Sequence, residues 1–472
     1  MHLFYSFCFT LGFVLTLPYF LFQALLHQKY FLSLRERLGN LPAQFATLPE
    51  GGIWIHAVSV GEVLAVLPLV NTLQLKWPDR PLFVSATTLA GQKLAKTRLA
   101  EKASIFFFPL DWQFAVRGAL GSVRPAIVLV AETEIWPNFL YECRERNVPV
   151  ILVNGRLSDQ SVRRYRLIRR FMKNVLSTFD FCCVQTQRDC DRLLSLGVSQ
   201  SKIEVCGNLK YEIATPKGIE GKGKSYRKLL GVDDKWFVVV AGSTMKDEEV
   251  QVLSAFRMLR DRCPQALLIL APRHPERFKE VEGVLTERAF HYRKRSQLAP
   301  EFRSGVAPRE VATGSIGNES IGNDEELERD LIKEPWGEAS RSHLDPETEV
   351  ILLDSMGELA TLYALADLVF IGGSLVPTGG HNILEPALFS KPVLFGPHMS
   401  NFREISDKFL ENQAAIRVES SSDLGAKFVD LSRNAGLRRA LGERGHSVLI
   451  ANRGAVLKIL RRIELVLSAS RV

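Results

Sequence analysis

Short apolar runs alternate with helical patterns along most of this chain, and this alternation limits the possible folds more than any other feature. Runs of this kind, bounded by turn residues and followed by helical stretches, are typical of parallel strands in a sheet that helices cover. The sequence therefore predicts an α/β protein with two Rossmann-like domains. The predicted strands are residues 52–56, 82–85, 104–108, 126–130, 148–153 and 181–184 in a first series, and 236–240, 266–270, 350–353, 368–371 and 392–395 in a second.

The chain length also indicates two domains, because 472 residues exceed what one hydrophobic core usually supports. A Gly/Lys-rich stretch separates the two series, and a polar stretch interrupts the second. Because ligands of open α/β sheets bind beyond the carboxyl ends of the strands, we expect the strand-end motifs of both domains to face a common cleft. The predicted segments are an N-terminal anchor (1–28), a first domain (29–215), a linker (216–232), a second domain (233–430) with an insertion (295–348), and C-terminal helices (431–472).

The N-terminus carries no charged residue from Leu3 to Leu26 and is rich in Phe, Leu and Val. A run of this length can cross a hydrocarbon core of roughly 30 Å, which predicts an uncleaved membrane anchor. Lys29, Arg35 and Arg37 follow at once, so the positive-inside rule places the rest of the chain in the cytoplasm. A buried or interfacial helix is the alternative, and Pro18 within the run keeps it open.

The formal charge of +8 favours an anionic partner. Nucleic acid, an acidic membrane surface and a phosphorylated substrate are all compatible with that charge. A basic helical run from Arg163 to Lys173 is either a solvated face or a contact with anionic headgroups. The seven cysteines show no zinc-type spacing and are typical of reduced thiols in a cytosolic domain.

Glu62 ends the stretch His56-Ala-Val-Ser-Val-Gly-Glu62, which follows a predicted strand and opens a helical run. Ser59 and Glu62 have the spacing of a capping box, and taken alone this structural interpretation is the better one. A helix N-terminus also favours an ionised carboxylate, which is the form that a general base needs. Glu62 is therefore predicted either to cap the helix or to accept a proton.

Other polar motifs also follow predicted strands. Glu132 and Glu134 come directly after the strand that ends at Val130. They are either functional carboxylates in the cleft or acidic residues that stabilise the N-terminus of the next helix. The glycine-rich loop after Ile371 allows close backbone approach by a ligand, although Asn382 and Glu385 again have capping-box spacing.

Taken together, these motifs resemble the 3-deoxy-D-manno-octulosonic acid (Kdo) transferases of lipopolysaccharide synthesis, which are glycosyltransferases of the GT-B fold. The resemblance covers residues 1 to about 465 and is specific because several motifs occur in one order. The motifs are Ser59-Val-Gly-Glu62, Glu132-Thr-Glu134-Ile-Trp-Pro-Asn138, Gly207-Asn-Leu-Lys210, Pro272-Arg273-His274-Pro-Glu-Arg-Phe278, Met356-Gly-Glu358 and Gly379-Gly-His-Asn382-Ile-Leu-Glu385.

The resemblance implies an inverting transferase that moves Kdo, in one or more copies, from CMP-Kdo to a lipid A precursor (lipid IVA) at the anionic surface of the inner membrane. It implies neither a metal cofactor nor a nucleic-acid partner. It assigns the first domain to the acceptor and the second to the donor, Glu62 as the proton acceptor, and Glu132 and Lys210 as transition-state stabilisers. The residues that it assigns to the CMP of the donor are Pro272, Arg273, Met356, Gly357, Glu358, Asn382, Ile383, Leu384 and Glu385.

The chain departs from the family pattern at Met245, where such enzymes commonly have His, and in its longer polar insertion. Two other functions are compatible with these residues. A GT-B nucleotide-sugar epimerase would also use cleft carboxylates, and a non-enzymatic membrane-tethered nucleotide-binding protein would explain the glycine-rich loop.

Overall fold

The computed structural model of the protein describes residues 2–27, 31–45, 47–213, 223, 226–227, 230–233, 235–298, 344–345 and 347–469. The chain divides into two compact units, Met1–Ala214 with Asn452–Val472, and Thr215–Ala451. Most of the predicted linker at 216–232, and residues 299–343 of the predicted insertion, lie outside the described residues.

The first unit contains a seven-stranded parallel sheet in the order β3-β2-β1-β4-β5-β6-β7. Side chains alternate between its faces: Trp54 and Phe83 enter one hydrophobic cluster, and Ile53 and Val84 enter another. Both faces are therefore buried, as the continuous apolar runs predict. The strands are β1 (Gly52–His56), β2 (Leu82–Ala86), β3 (Ser104–Phe107), β4 (Pro125–Ala131), β5 (Val150–Gly155), β6 (Phe181–Val184) and β7 (Ile203–Val205).

Helices cover this sheet, and several of them begin at side-chain caps. Ser59, Thr88 and Thr186 each accept a backbone N–H from the first helical turn, which satisfies donors that the helix itself leaves open. The helices are α1 (His2–His27), α2 (Phe31–Arg37), α3 (Val60–Lys76), α4 (Leu89–Leu99), α5 (Gln113–Val123), α6 (Pro137–Glu145), α7 (Asp159–Leu167), α8 (Arg169–Leu176) and α9 (Gln187–Ser195).

The second unit repeats this architecture with a seven-stranded parallel sheet in the order β10-β11-β9-β8-β12-β13-β14. Its strands are β8 (Phe237–Thr244), β9 (Ala266–Pro272), β10 (Tyr292–Lys294), β11 (Val350–Leu352), β12 (Leu368–Ile371), β13 (Val393–Phe395) and β14 (Ala415–Arg417). Its helices are α10 (Glu249–Arg260), α11 (Phe278–Glu287), α12 (Leu359–Leu362), α13 (Leu384–Leu388), α14 (Arg403–Glu411), α15 (Ser421–Arg433) and α16 (Ala435–Ala451). The last helix, α17 (Ala455–Ala469), belongs to the first unit and packs on α3.

The predicted pair of Rossmann-like α/β domains is confirmed, since each of the eleven predicted strands is present. The strands that sequence analysis missed are β7, β10 and β14, each three residues long and each at an edge of its sheet. These three strands are short and only partly buried, so their sequences lack the apolar run that predicted β3 at the remaining edge of the first sheet.

The N-terminal run forms α1, but its prediction as a transmembrane anchor is not supported. Among the residues that the structure describes, no helix is long and apolar enough to cross a membrane. Polar side chains of α1 contact other segments of the first unit: the Ser6 hydroxyl donates to Asn138 Oδ1 at 3.0 Å, and Thr10 Oγ1 accepts the Trp112 indole N–H at 3.0 Å.

Candidate functional site

Glu62 lies in the first turn of α3, directly beyond the carboxyl end of β1. Ser59 is the N-cap of this helix, and Glu62 accepts a hydrogen bond from its hydroxyl at 2.9 Å. The other carboxylate oxygen of Glu62 accepts the Val58 backbone N–H at 2.8 Å. Glu62 therefore takes part in a capping arrangement, as the spacing predicts, and only 7% of its surface is exposed.

The environment of Glu62 gives this capping residue the pKa of a base that works near neutral pH. Burial raises its pKa to about 7, and the negative charges of Glu132 and Glu134 act in the same direction. The hydrogen bonds from Val58 and Ser59 oppose this rise without cancelling it. Sequence analysis expected the helix terminus to keep this carboxylate ionised, and the structure differs because desolvation outweighs the cap.

Glu132 begins the segment between β4 and α6, and its backbone turns sharply. Its φ of 53° lies in the left-handed region, which is uncommon for a residue with a side chain. The Glu132 N–H donates to the Val153 carbonyl at 2.9 Å, which fixes the turn against β5. Glu134 follows two residues later, where burial raises its pKa and the charge of Glu132 adds to that effect. Both carboxylates are thus close enough to influence Glu62.

Lys210 lies in the short 3-10 turn Leu209–Tyr211, which packs on α3. Two polar residues that sequence analysis did not single out hold this turn. Asn154, in the left-handed region in β5, accepts the Leu209 N–H at 2.9 Å, and Gln185 accepts a side-chain N–H of Asn208 at 2.8 Å. The structure therefore brings the turn that carries Lys210 against the helix that carries Glu62.

The second unit presents Pro272 and Arg273 at the end of β9, beside the turn that follows β8. The Arg273 N–H donates to the Thr244 carbonyl at 2.9 Å. The guanidinium of Arg273 acts on Glu385, whose pKa is raised by burial and lowered by hydrogen bonding to Asn382 and by this positive charge. The predicted donor residues on β9 and in the glycine-rich loop are thus neighbours.

The glycine-rich loop after β12 depends on backbone conformations that favour glycine. Gly373, Gly379 and Gly380 have φ values of 68°, 97° and 72°. Asn382 then accepts the Leu384 N–H at 3.0 Å and donates to Glu385 Oε1 at 3.2 Å. Ile383 rather than Asn382 is the N-cap of α13, so the predicted capping box is replaced by this tighter turn.

His381 in this loop is a residue to which sequence analysis gave no role. Burial lowers its pKa to about 4, and the charges of Arg273 and His274 lower it further, so the imidazole is neutral. Its Nε2 atom is buried and has no hydrogen-bond partner within the described part of the chain. The sequence Gly379-Gly-His381 contains no signal from which the burial of this ring nitrogen could be predicted.

Met356, Gly357 and Glu358 form the turn before α12. Met356 is 56% exposed, and Gly357 has a φ of 90°. Glu358 pairs with Arg295, with 2.9 Å between Arg295 Nε and Glu358 Oε2. The carboxylate of Glu358 is therefore already bound by Arg295.

Glu62, Glu132 and Lys210 thus belong to the first unit, and the residues predicted for CMP belong to the second. The roles assigned to all of them stay predictions. Over the ranges described above, no three His, Cys, Asp or Glu side chains form a group that could hold a metal ion.

Comparisons with known proteins identify relatives across nearly the whole chain. Residues 32–213 match the family described as 3-deoxy-D-manno-octulosonic-acid transferase (kdotransferase). A 3-deoxy-D-manno-octulosonic acid transferase of Haemophilus influenzae is 33% identical over 433 residues, which are 92% of this chain and 91% of that protein. A protein of the same description from Chlamydia pneumoniae is 27% identical over 446 residues, 94% of this chain and 91% of its own.

Solved structures of other proteins also resemble the chain in fold. The UDP-GlcNAc 2-epimerase of Neisseria meningitidis bound to UDP-GlcNAc has a TM-score of 0.53 and 13% identity, covering 87% of this chain and 99% of that chain. At this low identity the likeness concerns the fold alone, and it agrees with the two doubly wound sheets.

Proposed function

This chain belongs to the 3-deoxy-D-manno-octulosonic acid (Kdo) transferase family, and on that premise we propose that it moves Kdo from CMP-Kdo to a hydroxyl group of a lipid A precursor, with inversion at the anomeric carbon. The family membership favours a glycosyltransferase over the epimerase and over the non-enzymatic binding protein.

In the proposed reaction, the acceptor oxygen forms a bond to the anomeric carbon while the bond from that carbon to the phosphate oxygen of CMP breaks. Glu62 takes the proton of the acceptor hydroxyl, and CMP leaves with the bonding electron pair. Glu132 and Lys210 stabilise the charge that develops in the transition state. Because the departing group carries a single phosphate, cationic side chains are sufficient to stabilise it, and the proposal includes no metal.

The observation that carries this proposal is the state of Glu62: a carboxylate 7% exposed, beyond a strand's carboxyl end, with a pKa raised to about 7. A general base works best when its pKa lies near the operating pH, because it is then both deprotonated and strong enough to accept a proton. Glu62 also accepts only two hydrogen bonds, from Val58 and Ser59, so its carboxylate retains acceptor capacity for the proton of a hydroxyl group.

On the donor side, the proposal assigns the phosphate of CMP to Arg273 and to the backbone of the glycine-rich loop, and the ribose to Glu385. The left-handed glycines support this assignment, because they permit close backbone approach by a ligand. The positive charge of Arg273 beside Glu385 supports it as well, because the same surface then offers a cation to phosphate and an acceptor to hydroxyl groups.

We also propose an anionic lipid surface as a partner of the first unit. Large apolar side chains on one face of α1 are exposed, among them Phe4 at 74%, Phe7 at 66% and Leu15 at 73%. The opposite face of this helix contacts the protein through Ser6 and Thr10, so the apolar face points outward. α1 packs beside α8, where Tyr5 stacks on Phe171. Exposed basic side chains lie on α7 and α8 and could contact anionic headgroups: Arg163, Arg164 and Arg166 on α7, and Arg169 and Arg170 on α8.

The proposed function is tested by incubating the purified full-length chain with CMP-Kdo and a tetraacylated lipid A precursor in detergent. The expected result, read by mass spectrometry of the lipid, is a product heavier by one or more Kdo residues, with one CMP released for each. No mass increase in any detergent would contradict the proposal. CMP release without a lipid product would favour hydrolysis or another acceptor.

The lipid surface is tested separately by sedimentation with vesicles. We expect binding to vesicles that contain anionic lipid and weaker binding to neutral ones. Replacing Arg169 and Arg170 by Gln should reduce this difference, because both guanidinium groups are exposed. Equal sedimentation with both kinds of vesicle would contradict the electrostatic part of the proposal.

A further inference from the structure

Helix α6 begins without a capping residue of its own, and a distant carboxylate takes that place. Its N-cap is Trp136, whose side chain makes no capping hydrogen bond. Asp111, in the loop between β3 and α5, accepts the Asn138 N–H at 3.0 Å and the Phe139 N–H at 2.8 Å. The side chain of Asn138 donates back to the Asp111 carbonyl at 2.6 Å. The start of α6 is therefore held by a residue that lies 27 positions earlier in the chain.

The N-terminal helix completes this cluster. Tyr5 of α1 hydrogen-bonds to the Asp111 carboxylate, and Ser6 donates to Asn138 Oδ1 at 3.0 Å. The ring of Tyr5 stacks on Phe171, with 6.0 Å between ring centroids. Asp111 is fully buried, so the Tyr5 hydroxyl supplies a donor that water cannot replace.

The segment that precedes α6 carries the two acidic residues near Glu62. It runs from Glu132 to Trp136, between the end of β4 and the start of α6. At one end, the backbone N–H of Glu132 donates to the Val153 carbonyl at 2.9 Å. At the other end, the first turn of α6 is bound to Asp111. A segment of this length that is fixed at both ends has little freedom, so the position of α6 decides where its carboxylates lie.

We propose that α1 is a positioning element of the active site: Tyr5 and Ser6 hold the Asp111–Asn138 cluster closed, and Asp111 sets the segment that carries Glu132 and Glu134. This inference rests on the proposed function, because the effect is transmitted to the base Glu62. Asp111 and Tyr5 are positioning residues in this proposal and make no contact with substrate. The N-terminal helix then contributes to turnover itself, in addition to any role in membrane contact.

Removing the Tyr5 hydroxyl leaves Asp111 one donor short in a buried place. The first turn of α6 is then held less firmly, and the carboxylates of Glu132 and Glu134 move relative to Glu62. The expected result is a kcat lower by between about 10-fold and about 100-fold with little change in the KM for CMP-Kdo, because displacements of about 1 Å have effects of this size. The acid limb of the kcat/KM profile should also move to lower pH, because carboxylates that have moved away from Glu62 raise its pKa less.

The test compares Tyr5→Phe with Thr10→Val in the full chain, in detergent, with CMP-Kdo and the lipid A precursor. Thr10 also binds α1 to the protein, through the Trp112 indole, and its own hydroxyl donates to the Ser6 carbonyl at 2.8 Å rather than to Asp111 or Asn138. We expect Thr10→Val to keep the kcat and the pH profile of the unaltered protein. Tyr5→Phe should lower kcat, shift the acid limb and speed the hydrogen exchange of the Asn138 and Phe139 amides.

A Tyr5→Phe protein with unaltered kcat and pH profile would overturn the inference, and so would equal losses in both variants. Ser6→Ala provides a second, milder variant if Tyr5→Phe unfolds, and it should change the same quantities in the same direction. Absence of transfer by the unaltered protein would contradict the proposed function instead, so the two failures are distinguishable.

Discussion

The two units carry a buried glutamate at corresponding places, and only one of them is suited to be a base. Glu62 follows β1, the first strand of the first sheet, and Glu248 follows β8, the first strand of the second. Each lies at the start of the next helix, as the third residue of α3 and as the N-cap of α10. Glu62 is 7% exposed and Glu248 is 0% exposed.

The two carboxylates differ in how many hydrogen bonds they accept. Glu62 accepts one backbone N–H, from Val58, and one hydroxyl, from Ser59. Glu248 accepts four backbone N–H groups, with distances from 2.6 to 3.1 Å, from Met245, Gly373, Ser374 and Leu375. A carboxylate has about four acceptor positions, so Glu248 is saturated while Glu62 retains capacity for a proton or a substrate hydroxyl.

This difference teaches that burial alone does not make a functional carboxylate. Burial raises the pKa of both groups, but the four N–H donors oppose the rise at Glu248 and join the β8–α10 turn to the glycine-rich loop. Glu248 therefore stabilises the loop, and Glu62 remains chemically available. Substitutions at the two glutamates and at their neighbours test this division.

The substitution Glu62→Gln should lower kcat by about 10²-fold to 10⁴-fold, the usual contribution of a general base. Gln can still accept the Val58 N–H and bond to Ser59, so the helix cap is kept. Transfer of Kdo to the lipid is the measurement, with circular dichroism as the check on folding. A folded Glu62→Gln protein with normal turnover would show that Glu62 is only a cap.

The matched substitution Glu248→Gln should lower the free energy of unfolding by about 2–3 kcal/mol. The amide NH₂ of Gln would face two of the four N–H donors, so those donors would lose their acceptor in a buried place. Chemical denaturation measures this, and Glu62→Gln serves as the control because it makes the same chemical change at the corresponding site. Equal stability of the two variants would contradict the proposed division of roles.

Removing the Glu62 charge should itself stabilise the protein above neutral pH. The folded-state pKa of Glu62 is raised to about 7, so its favourable contribution is present at low pH and is lost as the pH rises through that value. At pH 8.5, the free energy of unfolding of Glu62→Gln should exceed that of the unaltered protein by on the order of 2 kcal/mol. At pH 4, the two free energies of unfolding should be equal. The melting temperatures of both proteins, measured at the two pH values, check this prediction. A stability difference between the variant and the unaltered protein that did not change with pH would contradict the raised pKa of Glu62.

The smallest expected effects are opposite shifts of the pH profile. The acid limb of kcat/KM, which reports the free enzyme, should lie near pH 7, where Glu62 titrates. Ser59→Ala should move it to higher pH, because the Ser59 hydroxyl now lowers the pKa of Glu62. Glu134→Gln should move it to lower pH, because it removes a repulsive charge. Shifts in the same direction would contradict this account of the Glu62 environment.

Several parts of this structure could be predicted from sequence because their causes are local. The Ser59 and Glu62 spacing predicts a capping arrangement, which is present at the start of α3. The buried central strands were predicted because burial on both faces demands continuous apolar runs. The strands β7, β10 and β14 escaped prediction because each is three residues long and only partly buried, which demands no such run.

Other parts depend on contacts between residues far apart in the chain. Asp111 caps α6 from 27 residues away, and no spacing rule covers such a pair. Glu248 reaches the loop at Gly373 across 125 residues, although its sequence neighbours indicate only a helix start. The length and apolarity of the N-terminal run predicted a membrane anchor, whereas the polar contacts of Ser6 and Thr10 with the protein became visible only in the fold.

The sequence by itself determined the two parallel α/β sheets, the family and the residues at the strand ends, because strand patterns, caps and ordered motifs are properties of short stretches. Tertiary structure alone decided the chemical state of those residues. Whether a buried glutamate is saturated like Glu248 or available like Glu62 depends on how many donors and charges other segments bring within a few ångströms. Those segments meet only when the sheets assemble.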